Sequence, residues 1–195
     1  MALNEITQYD LKFHHRRSIR LRGYDYSQCG AYFITICVQR LECLFGMINN
    51  GNMILNDYGK IVKKCWYDIQ NHYLKIELPE FVVMPNHCHG IIIVGAGLSR
   101  PENVEKNAGS LDKNNFNNHD KIGRDNPAPT IGNVVGYFKY IATKQINTVI
   151  NNGVQKIFQR NYYEHMIRNE NEYNNIAQYI KNNPLNWLKD KNYIK

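Results

Sequence analysis

The residues best suited to chemistry stand in the run Pro85-Asn86-His87-Cys88-His89-Gly90. In an extended segment alternate side chains share a face, so His87 and His89 stand together while Cys88 points the other way. A strand rises about 3.3 Å per residue, which sets the two histidine Cα atoms about 7 Å apart and lets both imidazoles reach one divalent cation if other groups complete its shell. Read plainly, the same spacing is a pair of half-exposed strand histidines that hold nothing. Tyr179 and Asn183 form a second pair, four residues apart and therefore neighbours on one helix face. Asn183 offers an amide oxygen to a cation. Tyr179 offers a phenol, which becomes a nucleophile when a metal and nearby cations ease its deprotonation. The same two residues serve equally as a packing tyrosine and a helix stop before Pro184. Tyr67 and Asn71 repeat the spacing on an earlier helix, so spacing alone does not choose between the pairs.

The elements around these residues follow from pattern. Ala31 to Arg40 is rich in β-branched and aromatic side chains and nearly all apolar up to Val38, as expected of a central strand covered on both faces. CLFGMI and MILN flank NNGN, and the Asn50-Gly51 step signals a hairpin because both residues tolerate positive φ. Asp57 caps a helix expected to run to about Tyr73, with Ile61, Val62, Cys65, Trp66 and Ile69 at helical spacing. IELPEFVVM and HCHGIIIVG read as a β-hairpin turning tightly at Pro85-Asn86. Residues 96–129 are dominated by Asn, Gly, Asp and Lys and read as a flexible surface loop. Thr130 opens a helix with Ile131, Val134, Val135, Phe138 and Ile141 on one side, and KIFQRNYYEHMI follows as a strand. Asn169 and Glu172 match a capping box, and the helix they start is expected to stop near Asn183, because Pro184 disfavours helical geometry in the residue before it. Stripped of additions the order is βαββαβ. This is the α+β, ferredoxin-like arrangement, an antiparallel sheet with helices on one face, extended by a C-terminal helix that carries Tyr179.

The chain has 195 residues, 43% of them hydrophobic and 21% charged, which fits one soluble globular domain and excludes fibrous or wholly disordered classes. Lys and Arg number 24 against 17 Asp and Glu, a net charge of +7 that points to a polyanionic partner, nucleic acid before membrane. Residues 1–17 read as a basic arm ahead of a single domain over 18–190. Around their junction Lys12, Arg16, Arg17, Arg20 and Arg22 stand without an acidic neighbour. No apolar run is long enough to span a bilayer and the N-terminus lacks signal-peptide order, so a cytoplasmic protein is expected. Cys29, Cys37, Cys43, Cys65 and Cys88 form no CxxC pair. They read as reduced hydrophobes, and a structural zinc site is disfavoured.

The set GAYFITICVQR, FVVMPNHCHGIII, TIGNVVGYFKYIATKQIN, FQRNYYEHMIRNENEY and IAQYIKNNPLNW, collinear from about Arg17 to Trp187, resembles the REP-associated tyrosine transposases, a branch of the HUH single-tyrosine transposases. The resemblance implies that His87 and His89 are two ligands of Mg²⁺ or Mn²⁺, that Asn183 is the third, and that Tyr179, rather than Tyr67, Tyr162, Tyr163 or Tyr173, is the nucleophile. It implies a transposase that cleaves and rejoins single-stranded DNA at imperfect hairpins of repetitive palindromic elements through a 5′-phosphotyrosine, as a monomer or homodimer. Cys88 stands where the family usually has a larger aliphatic. Arg16, Arg17, Arg20, Arg22, Lys139, Lys144, Arg160 and Arg168 are candidates to meet DNA phosphates, although any single one of them serves equally as a solvated surface charge. Tyr162 and Tyr163 are candidates to stack on unpaired bases, with one of the two packed in the core. His165 is a candidate to orient the substrate or the tyrosine, or to support the site from behind. Two other readings compete: a catalytically idle DNA or RNA hairpin-binding protein, and a relaxase-like nickase, which commonly belongs to a larger multidomain chain.

Overall fold

The computed structural model describes residues 30–73, 75–95, 129–150 and 154–193. The basic arm with Arg16, Arg17, Arg20 and Arg22, and all but the last residue of the 96–129 segment, lie outside the described residues.

Strand β1 (Gly30–Cys37) is buried along most of its length, as its unbroken apolar run requires. The hairpin of β2 (Gly46–Asn49) and β3 (Asn52–Leu55) turns where expected, with Asn50 at φ 49° and Gly51 at φ 74°. Helix α1 (Asp57–Tyr67) starts one residue earlier than predicted: Asn56, not Asp57, is the cap, and its side chain accepts the Gly59 N–H at 3.0 Å. The predicted single helix to Tyr73 is divided at Asp68, whose N–H bonds to both Lys64 and Trp66 carbonyls, and resumes as the short α2 (Ile69–His72). The local hydrogen bonding tightens there while Ile69 stays buried, so the apolar pattern continued across a break that it could not reveal.

The segment IELPEFVVM pairs with β6 (His87–Val94), but in two pieces, β4 (Ile76–Glu77) and β5 (Phe81–Val83), because Pro79 has no N–H to give to a ladder. The turn at Pro85-Asn86 closes with Met84 N–H on the His87 carbonyl at 2.8 Å. Helix α3 (Ile131–Ile150) is capped by Thr130 and buries Ile131, Val134, Val135 and Phe138. Strand β7 (Tyr163–Ile167) is much shorter than the predicted KIFQRNYYEHMI. The Lys139 ammonium gathers the carbonyls of Gln159, Arg160 and Asn161 at 2.9 to 3.3 Å, which bends the chain before the strand begins. Helix α4 (Glu170–Asn182) follows, with Glu172 N–H on Asn169 Oδ1 at 2.9 Å. The return half of the box differs, since Glu172 accepts from Arg168 N–H at 2.7 Å instead of from the cap residue.

All sheet pairings are antiparallel. β1 lies between β6 and β7, and β4 and β5 pair in succession along the other edge of β6, the order expected of a ferredoxin-like βαββαβ unit. Alternation divides the sheet into two faces. Tyr32, Ile34 and Ile36 of β1 and Cys88, Ile92 and Val94 of β6 pack under α1 and α3. Phe33 and Ile91 face the other way and meet Ala177 and Ile180 of α4. Among the described residues the C-terminal helix, with the segment that follows it, lies across the sheet face that the βαββαβ unit leaves open.

Candidate active site

Asn86 orients the first histidine. Its Nδ2 donates to two carbonyls, Leu41 at 3.1 Å and Asn192 at 2.8 Å, so its Oδ1 is the atom facing His87 Nδ1 at 2.7 Å. An amide oxygen only accepts, hence His87 carries its proton on Nδ1 and presents an unprotonated Nε2. His89 stands in register with Thr35, whose Oγ1 lies 2.8 Å from His89 Nδ1. The two Nε2 atoms are 3.0 Å apart. Either His89 places its one proton between them, or it gives that proton to Thr35 and leaves two lone pairs aimed at one point, an arrangement that a cation satisfies. The reading of half-exposed histidines is excluded here, since His87 is 0% and His89 1% exposed.

Helix α4 brings the tyrosine to this pair. Tyr179 Oη lies 3.3 Å from His89 Nε2 and donates to Asp190 Oδ2 at 3.2 Å. Asn183 keeps helical angles, φ −57° and ψ −43°, despite the following Pro184. The proline lowers the preference for that geometry without forbidding it, and burial of Asn183 with its Nδ2 on Asp190 Oδ2 at 3.0 Å holds it in place. The helix ends at the predicted point, but the chain then runs through a further turn and the 3-10 segment Trp187–Lys189, which delivers Asp190. Asp190 is a site residue the sequence reading missed. Its Oδ2 lies 4.0 Å from both His87 and His89 Nε2, and its Oδ1 accepts the Asn192 N–H at 2.7 Å.

The electrostatics follow from this burial. Loss of water, then the neighbouring imidazole, pulls His87 down to about 3, and burial lowers His89 as well, so both rings are neutral. Burial and the Asp190 carboxylate push the Tyr179 phenol up to about 12. Burial alone would raise Asp190, yet the His89 imidazole, the Asn192 N–H and the Asn183 amide hold it well below the usual carboxylate range. His87, His89 and Asp190 offer three donor atoms within 4.8 Å of one another. Asn183 Oδ1 is buried with no hydrogen-bond partner among the described residues. Two imidazole nitrogens, a carboxylate and an unsatisfied amide oxygen are together a donor set that could hold a divalent metal ion.

The other predicted residues disperse. Lys139 is engaged by three carbonyls and lies 5.4 Å over the Tyr162 ring, so its charge serves the fold. Lys144, Arg160 and Arg168 are exposed. His165 Nε2 meets Glu172 at 2.6 Å and ties β7 to the first turn of α4, two turns ahead of Tyr179. Of the adjacent tyrosines, Tyr162 packs partly buried against the larger core, and Tyr163 is exposed on the face that carries the histidines. Tyr67 is exposed and lies on α1, which covers the opposite face of the sheet. Among the described residues no helix is long and apolar enough to cross a membrane.

No family model matches the chain. An uncharacterized protein of Haemophilus influenzae is 42% identical over 188 residues, covering 96% of this chain and 98% of that one. Among solved structures, that of a REP-associated tyrosine transposase bound to a REP hairpin aligns with a TM-score of 0.52 at 19% identity, over 87% of this chain and 74% of the other. The chain therefore belongs to one family with the Haemophilus influenzae protein, and its fold is that of the REP-associated tyrosine transposase.

Proposed function

We propose that this protein is a metal-dependent transposase that cleaves and rejoins single-stranded DNA at hairpin-forming repeats, with Tyr179 as nucleophile. The observation that carries the reading is the meeting of Tyr179 Oη with His89 Nε2 at 3.3 Å, inside the His87, His89 and Asp190 cluster. The REP hairpin bound by the structural neighbour supports a DNA hairpin as the partner of this chain. His87 and His89 would hold Mg²⁺ or Mn²⁺ together with Asn183, and Asp190 would add a carboxylate. Such an ion, when bound, polarises the scissile phosphate and offsets charge that builds on its oxygens.

The chain's own residues supply the rest. At neutral pH the Tyr179 phenol is protonated, and Asp190, which already accepts its hydrogen bond, is placed to take the proton as attack proceeds. The Tyr179 oxygen forms a bond to phosphorus as the bond to the 3′ oxygen breaks. The electron pair leaves on that oxygen, which takes a proton from solvent to become a free 3′-OH, and the 5′ phosphate stays on tyrosine. The ester preserves the energy of the broken linkage, so attack by another 3′-OH rejoins DNA without ATP. The test is incubation with Mn²⁺ and single-stranded hairpins taken from DNA flanking the protein's own gene, followed by mapping of any denaturation-resistant adduct. The expected adduct is on Tyr179, and Tyr179→Phe should bind the hairpin but not cleave it. An adduct on Tyr162, Tyr163 or Tyr173, or full cleavage by Tyr179→Phe, overturns the assignment.

A further inference from the structure

Tyr163 is unexplained by its own packing. It is 38% exposed on β7, while its sequence neighbour Tyr162 turns into the layer under α3. Its register partner is Thr35 on β1, and the register partner of Thr35 on β6 is His89. With strands about 4.8 Å apart, the Tyr163 and His89 Cα atoms are about 10 Å apart across the same face. Phe33 joins the group from below. Its ring meets His89 at 5.3 Å, Tyr179 at 6.0 Å and Tyr163 at 6.2 Å between centroids. Phe33 is itself only 8% exposed, so Tyr163 rests edge-on against a support that also carries the nucleophile and a histidine. Lys191 holds its ammonium 5.0 Å over the Tyr163 ring.

We infer that Tyr163 is a stacking platform for an unpaired base next to the scissile phosphate, and that Lys191 yields the ring face to that base and turns to its phosphate. The inference rests on reading this face as the track of single-stranded DNA. Every base has a π-face, so such a platform grips DNA with little regard to sequence. A tyrosine ring has two rotatable bonds and is braced here by Phe33, which keeps the ordering cost of stacking small. The long lysine stem allows the charge to move between ring and phosphate without moving the backbone. Tyr163 is thereby a binding and positioning residue, and the nucleophilic role stays with Tyr179.

The experiment measures binding by fluorescence anisotropy in EDTA, so neither metal nor cleavage is needed. The probes are a labelled oligo-dT strand and an abasic strand of equal length and charge. The full chain should prefer oligo-dT. Tyr163→Phe should keep the preference, because the ring remains, and Tyr163→Leu, which retains the apolar contact with Phe33, should lower oligo-dT affinity about 5- to 150-fold with little effect on the abasic strand. Lys191→Gln should reduce the salt slope of binding by about 0.7. Equal affinity of the wild-type chain for both strands, failure to bind either, or an unchanged preference in Tyr163→Leu overturns the inference. A chain that shows the preference but forms no tyrosine adduct keeps the platform and loses the nuclease reading; adduct formation with no base preference does the reverse.

Discussion

Asn86 joins three parts of the chain that are far apart in sequence, and its replacement tests the site's architecture without reference to DNA. The side chain is 0% exposed and makes three hydrogen bonds, to Leu41 O, Asn192 O and His87 Nδ1. Asn86→Ala removes all three and leaves two partly buried carbonyls and one buried imidazole N–H without this partner. With about 0.5–1.5 kcal/mol net for each bond, the loss is about 1.5–4.5 kcal/mol. For a chain of this size that lowers Tm by about 3 to 18 °C, at about 2–4 °C per kcal/mol. Asn86→Asp is the sharper control. It keeps an acceptor for His87 but aims a carboxylate oxygen at two carbonyls, so it should destabilise at least as much as alanine. Release of the His87 tautomer should also weaken Mn²⁺ binding, measured by titration calorimetry, about 10- to 100-fold. A fall in Tm of less than about 2 °C for Asn86→Ala, or an Asn86→Asp variant milder than alanine, would falsify the assigned orientation of this amide.

Two further outcomes follow from packing and charge. A Cβ on Gly90 would overlap Trp66 Cζ2 and lie 2.7 Å from its Cη2, so Gly90→Ala should cost about 1–3 kcal/mol in urea unfolding, and Trp66→Leu in the same chain should recover part of that; independent effects would show that the indole does not lie on the bare strand. His87 titrates at about 3 in the fold and near 6.5 when unfolded. Between those values the unfolded chain binds more protons, so stability of the metal-free protein is full above about pH 6.5 and falls as pH drops, at up to about 1.4 kcal/mol per pH unit. Urea midpoints that stay level from pH 6.5 to about 5, or that fall equally in His87→Asn, would remove the buried neutral imidazole from the account.

Local pattern is strong wherever one side chain's direction follows from its neighbours in sequence. The shared face of His87 and His89, the hairpin at Asn50-Gly51, the apolar stripe of α3 and the start of α4 at Asn169 are all of this kind, because strand alternation and helix periodicity act over a few residues. The order of elements was enough for the ferredoxin-like sheet, since the rules against crossed connections and for crossover handedness leave few topologies. Interactions that cross the fold had no such signal. Asp190 reaches the histidines only after Pro184 and a 3-10 turn, where no period relates it to Tyr179 or Asn183. Asn86 meets Asn192 across 106 positions, and Lys139 turns from a candidate phosphate contact into the clasp of the 159–161 bend. Sequence spacing put Tyr162 and Tyr163 on opposite sides of a strand. Only the packing decided which side was core, because burial depends on what the rest of the chain lays against each face.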